Sequence, residues 1–246
     1  MTLKLIQSAL CASLLSVGVF SASLAQDTAP AAIASMIDLS ERPDDNVKGD
    51  HDAPLTLIEY ASVACPHCAH FHDTAMPGIE AQIAAGNVRF IFREVIAGPE
   101  QLAIAGFMLA HCAPKEDYFT VLDALFDHQD AIFEAAPRVG IREELLNAAI
   151  SAGFTEDTFE ACLSDQSQFM SVIEAHERSA QDGFSRTPSF VLNGKVLSAI
   201  EIEGPERAVF SLDGEPLLIE GAPVAYSQDG DVWAHVLSSL AENPPQ

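Results

Sequence analysis

The sequence predicts an α/β chain in which a sheet is laid down in two halves with a helical domain inserted between them. Three observations predict it. Strand-like runs lie at residues 55–61 and 88–93 and return only after residue 188. Between about Pro99 and Gly183 the apolar spacing is helical. The distal half carries Asn193-Gly194, the signal of a two-residue hairpin turn.

The elements follow in order. Residues 1–25 read as a cleavable signal peptide: Lys4, an apolar run from Leu5 to Phe20, then Ser23-Leu24-Ala25 with small residues at the −3 and −1 positions. A retained membrane anchor is the alternative, although the run is short and rich in Ser and Ala. Residues 26–46, rich in Ala, Pro and Asp, read as a flexible leader. Leu-Thr-Leu-Ile-Glu-Tyr-Ala at 55–61 has strand composition. A helix is expected to start at Pro66, because proline suits the first helical turn, and to kink or break near Pro77. Gly86-Asn87 stops it, and residues 88–93 alternate apolar and polar as a second strand.

In the helical block, Ala105, Met108, Leu109 and Cys112 share one face, and Tyr118, Val121, Leu122, Leu125 and Phe126 another. Leu145, Leu146, Ala149 and Ile150 continue the pattern. Thr155 is placed to cap a helix carrying Phe159, Cys162 and Leu163. Phe169, Val172, Ile173 and His176 mark a last long helix stopped at Gly183. Ser189–Leu192 and Lys195–Leu197 form the hairpin, and a helix over about 229–242 carries Val232, Trp233, Val236, Leu237 and Leu240. Residues 201–228, acidic and punctuated by Gly and Pro, show no clear period. This order is that of a thioredoxin-like fold, with 47–98 and 184–246 as its two halves and 99–183 as the inserted helical domain.

The sequence holds 36 acidic and 12 basic residues, a formal net charge of −24. Such a surface repels nucleic acid and anionic lipid, so neither nucleic-acid binding nor membrane insertion is expected. Its main consequence is solubility.

The cysteines carry the chemistry. Once Cys11 leaves with the signal peptide, Cys65, Cys68, Cys112 and Cys162 remain. Export places them in an oxidising compartment, where an even number suggests two disulfides among three connectivities. In Cys65-Pro66-His67-Cys68, two intervening residues at a helix start put both sulfurs within bonding reach. Cys65 then faces the positive helix end and free N–H groups, which favour its thiolate. Pro66 fixes the turn, and His67 is a further stabiliser of the anion. Cys68 is expected to be the more buried, resolving thiol. The alternatives are a zinc site using Cys65, Cys68 and a nearby His, and a purely structural disulfide. Zinc usually takes ligands in separated pairs, and His70 and His72 face different ways on a helix, so no metal is expected. Disulfide exchange needs only the two thiols, so no cofactor is expected. Cys112 and Cys162, on apolar faces of separate helices, can meet in a structural disulfide worth roughly 4 kcal/mol by the chain-entropy model; two buried free thiols are the other reading.

Taken together, Ile58-Glu59-Tyr60 leading into Cys-Pro-His-Cys, the helix kinked near Pro77, Thr187-Pro188 before a strand and Asn193-Gly194, and the long helical insertion resemble the DsbA-like branch of the thioredoxin superfamily over roughly residues 47–200. The resemblance implies that Pro188 is a cis-proline beside the active cysteines, exposing backbone to an extended substrate. It implies that Glu59 is a buried acid beneath the site, able to shuttle a proton for Cys68. Thr187 departs toward the DsbC- and DsbG-type isomerases and reductases, whose long N-terminal dimerisation domain has no counterpart here, so a monomer is expected. The implied function is a periplasmic thiol-disulfide oxidoreductase that donates its disulfide to folding exported proteins through a mixed disulfide at Cys65. A DsbB-type membrane oxidase would recharge it. The alternatives are an isomerase or reductase kept reduced by a DsbD-type partner, and a non-catalytic metal-binding protein.

Overall fold

A computed structural model of the protein describes residues 38–203 and 208–245. The expected signal peptide, and the leader up to residue 37, lie outside the described residues. The chain runs β1 (Asn46–Lys48), β2 (Leu55–Ala61), α1 (Pro66–Thr74), α2 (Met76–Ala84), β3 (Val88–Glu94), α3 (Glu100–Cys112) and a 3-10 turn at Lys115–Asp117. Next come α4 (Tyr118–Asp127), α5 (Gln129–Val139), α6 (Arg142–Ser151), α7 (Glu156–Leu163) and α8 (Gln166–Gln181). The distal half holds β4 (Ser189–Leu192), β5 (Lys195–Glu201), β6 (Ala208–Leu212), β7 (Glu215–Pro216), a small hairpin of β8 (Leu218–Ile219) and β9 (Ala222–Pro223), and α9 (Gly230–Glu242). This is a thioredoxin-like α/β fold with helices inserted between the halves of the sheet.

Strands order as β1-β3-β2-β4-β5-β6-β7. The pair β2–β3 is parallel and β2–β4 antiparallel, so the two halves of the chain meet at β2. Strand alternation sends Leu55, Leu57, Glu59 and Ala61 to one face and Ile58 and Tyr60 to the other. The first face carries the main core, where Phe71 of α1 and Trp233 of α9 meet Phe190 of β4. The second face holds a smaller core of Ile58, Tyr60, Ile91, Val95 and Val191.

Local signals act as the residues dictate. Pro66 and Pro77 each occupy the opening of a helix, and Ala75 separates α1 from α2. Thr155 caps α7, its hydroxyl accepting from the Thr158 N–H while Thr158 answers the Thr155 N–H. Asn193 and Gly194, at φ 48° and 79°, make the hairpin turn between β4 and β5. Helices α2 and α9 touch through glycines, since a Cβ on Gly78 would land on the Gly230 carbonyl.

The structure corrects two expectations and adds detail at two other places. Residues 38–46 are not a loose leader. The Arg93 guanidinium donates to the Ser40 carbonyl and to both Asp45 oxygens, and β1 starts at Asn46 to pair with β3. Residues 88–93 form the second strand that their alternation predicts, but its last polar position faces inward. Arg93 is buried, donating to the Tyr60 hydroxyl and pairing with Asp182 at the end of α8. Ile150 points outward, 51% exposed, and the buried positions of α6 are Leu145, Ala148 and Ala149. Finally, the described part of residues 201–228 extends the sheet: β6 pairs along β5, and Ser198 and Ser211 hydrogen-bond across the two strands.

Candidate active site

The loop after β2 delivers Cys65 to the N-cap of α1, with Pro66 as the first helical residue. Cys65 retains 7% exposure, while Cys68, one turn along on the inner face, has none. Both are free thiols in this structure. Their chemistry differs accordingly. The Cys65 thiol is lowered from an ordinary value of 9.0 to about 5, chiefly by hydrogen bonding from the Cys68 thiol. Burial opposes that shift; the Thr187 side chain and the main-chain N–H groups of Cys68 and His67 support it. The Cys68 thiol is pushed far upward, first by burial, then by its hydrogen bond to Cys65 and by the negative charge of Glu59. His67 thus acts on Cys65 through its backbone; its ring is exposed.

The distal half closes the site. Thr187-Pro188 is a cis peptide bond, and Cys65 Sγ lies 3.5 Å from the Thr187 carbonyl oxygen. Behind it, Pro188, Phe184, Phe190, Tyr226 and Trp233 line a cleft of about 180 Å³. On the proximal side Glu59 is wholly buried beneath α1, where its Oε2 lies 2.9 Å from His72 Nε2. The structure therefore brings Cys65, Pro66, His67, Cys68, Thr187, Pro188 and Glu59 together. Cys112 and Cys162 lie elsewhere, joined as a disulfide between α3 and α7. His70 is exposed on α1 and His72 half-buried, and among the described residues no three His, Cys, Asp or Glu side chains gather as a metal site.

Several supporting residues escaped the sequence reading. Buried Gln129, from the helical insertion, donates its side-chain amide to the carbonyls of Val63 and Cys65. No local pattern marks it, because its role depends on a contact across 64 positions. Ser62 braces the loop through its hydroxyl, which donates to Ala97 and accepts from the Ala64 N–H. Gly98 sits at φ +81°, and a side chain there would strike the Ala64 carbonyl. His72 was legible, lying four residues after Cys68 and so on the same helical face.

A buried thiol beneath a low-pKa thiol at a helix start, opposite a cis-proline, defines a thioredoxin-fold protein with a paired-cysteine site. The chain belongs to the thioredoxin family: residues 41–209 match the family model described as Thioredoxin. Its fold is similar to the crystal structure of alpha-DsbA1 from Wolbachia pipientis, at TM-score 0.60 and 24% identity, covering 83% of this chain and 94% of that one. It is also similar to a protein-disulfide isomerase from Novosphingobium aromaticivorans, at TM-score 0.55 and 18% identity over 66% of this chain and 91% of that one. In sequence it is 28% identical over 152 residues to a Rickettsia bellii protein provisionally named a protein-disulfide oxidoreductase, covering 61% of this chain. That match spans only 57% of the Rickettsia bellii protein's length. Over 160 residues it is 28% identical to disulfide bond formation protein D of Bacillus subtilis, covering 61% of this chain and 68% of that protein.

Proposed function

We propose that the protein is a periplasmic thiol-disulfide oxidoreductase that donates the Cys65–Cys68 disulfide to exported proteins as they fold. The observation that carries this reading is the split between the two thiols. A Cys65 thiol lowered to about 5 is a stable thiolate near neutral pH and a good leaving group. Its reduced form is thereby favoured over the disulfide, which makes the disulfide an oxidant. A substrate thiolate attacks Cys65 Sγ, the Cys65–Cys68 bond breaks, and Cys68 leaves as a thiolate and takes a proton. The substrate's second thiolate then displaces Cys65, which departs as the stabilised anion. Thr187, Pro188 and the cleft behind them are the surface for the extended substrate, and Pro66 and the His67 backbone hold the helix start. The names of the Rickettsia and Bacillus relatives accord with this reading. A DsbB-type membrane oxidase is the partner that would restore the disulfide.

The test is the reduction potential of the pair, measured by equilibration with glutathione. A value less negative than about −200 mV is expected of an oxidant. A value near thioredoxin's, about −270 mV, would replace the oxidase with a reductase or isomerase kept reduced by a DsbD-type partner. Thr187, shared with those members, is the residue that speaks for the second outcome.

A further inference from the structure

We infer that His72 is the outlet for the proton that Glu59 exchanges with Cys68, carrying it to a solvent-open cavity between α1, α2, α4 and α5. The inference rests on the proposed thiol-disulfide chemistry and extends it to a residue outside the Cys-Pro-His-Cys motif.

The geometry has three parts. Glu59, entirely buried on β2, faces α1, where Cys68 and His72 share one face a turn apart. One Glu59 oxygen meets His72 Nε2, and the other, Oε1, is buried without a partner. A carboxylate with an unpaired oxygen is costly in the interior, so Oε1 is a ready acceptor for a proton arriving from Cys68. His72 is the outlet. Its ring has 8% exposure, stacks on Phe126 of α4 at 4.0 Å between centroids, and lines a cavity of about 780 Å³. The charged and titratable groups facing that cavity are Lys48 from β1, His70 and Asp73 from α1, Glu80 from α2, Asp123 and Asp127 from α4, and Asp130 from α5. Their carboxylates, with water, are acceptors for a proton that leaves the ring.

The relay acts when Cys68 resolves a mixed disulfide at Cys65. The Cys68 thiol gives its proton to the Glu59 carboxylate. Its thiolate attacks Cys65 Sγ, the Cys65–Cys68 bond forms, and the bond from Cys65 to the partner sulfur breaks. The partner leaves as a thiolate with the electron pair. Glu59, now a neutral acid, passes its proton to His72 Nε2, and the imidazolium releases one to water in the cavity. The same path run backwards protonates Cys68 when it leaves. His72 acts through Glu59 and is a positioning residue; the burial that pushes the Cys68 thiol upward is why such help is needed.

The test uses the full reduced protein and oxidised glutathione in stopped flow, resolving capture of glutathione at Cys65 from its release by Cys68, between pH 5 and 9. His72→Gln keeps a hydrogen-bonding side chain beside Glu59 but cannot relay. It is expected to slow release relative to capture by about tenfold or more at pH 7, the deficit closing as pH rises and hydroxide takes the proton directly. In His72→Ala, free imidazole is expected to restore release. The inference is overturned if His72→Gln releases glutathione at the wild-type rate with the wild-type pH profile. It is equally overturned if both variants are slowed alike at every pH with no rescue by imidazole, which is the behaviour of a packing role alone. Failure of the wild-type protein to capture glutathione at all would instead sink the redox reading itself.

Discussion

Cys65 and Cys68 stand three positions apart, yet the fold gives them opposite protonation preferences. The N-cap position and the bond from Cys68 stabilise the Cys65 anion, while the interior forbids charge on Cys68. Two predictions belong to these residues. Cys68→Ala should accumulate mixed disulfides at Cys65 with thiol-bearing proteins, seen as reducible adducts by mass spectrometry; adducts accumulating in Cys65→Ala instead would reverse the assigned roles. The second concerns pH. Cys65 ionises at about 5 in the reduced fold and at about 9 once the chain is open, so over this window the unfolded chain binds more protons. Stability of the reduced form from this group should therefore rise with pH from about 5 to about 9, and be lost as pH falls through about 5. The oxidised form lacks this group. The Tm of the reduced protein minus that of the oxidised should thus grow over this range, and a constant difference would contradict the low thiolate pKa.

At the scale of elements, α1 is the device that presents one sulfur and hides the other. Its start is set by Pro66 and its end by the break at Ala75, and the adjoining α2 is pressed against α9 through Gly78 and Gly230. Gly78→Ala would drive a methyl into the Gly230 carbonyl and force the two helices apart, at a cost of about 1–3 kcal/mol. Denaturant titration should show that loss; unchanged stability would mean that the helices separate freely. The helix start, the break and the Asn193-Gly194 turn were readable because each depends on a backbone preference of its own residue. The tie from Gln129 of α5 to the Val63 and Cys65 carbonyls was not, since nothing in the neighbours of Gln129 encodes its partner. Glu59 became legible only through family resemblance, because a glutamate in a strand carries no mark of burial.

Across the whole molecule, the helical insertion is tied within itself by the Cys112–Cys162 disulfide and to the sheet by polar contacts. Removing that disulfide by replacing both cysteines with alanine frees a loop of 50 residues' separation, so stability should fall by up to about 4 kcal/mol. Exchange at Cys65 should persist in the variant if it remains folded, which a glutathione assay reads. No loss of stability would show that the bond does not constrain the open chain. A second tie is the buried cluster in which Arg93 holds Asp45, Tyr60 and Asp182, linking the segment before β1, two strands and the end of α8.

The sequence by itself determined the central strand–helix–strand unit, the helical insertion, the helix start at Pro66, the hairpin turn and the identity of the paired cysteines. Each rests on short-range preferences: proline's fixed φ, glycine's freedom and the period of apolar residues. Tertiary structure alone decided that Thr187 would lie against Cys65, that residues 38–46 would dock on Arg93, and that Glu59 would find His72. Those contacts join positions far apart in the chain or on different faces of it. Their energies come from burial and from the need to pair every charge taken out of water, which no local pattern records.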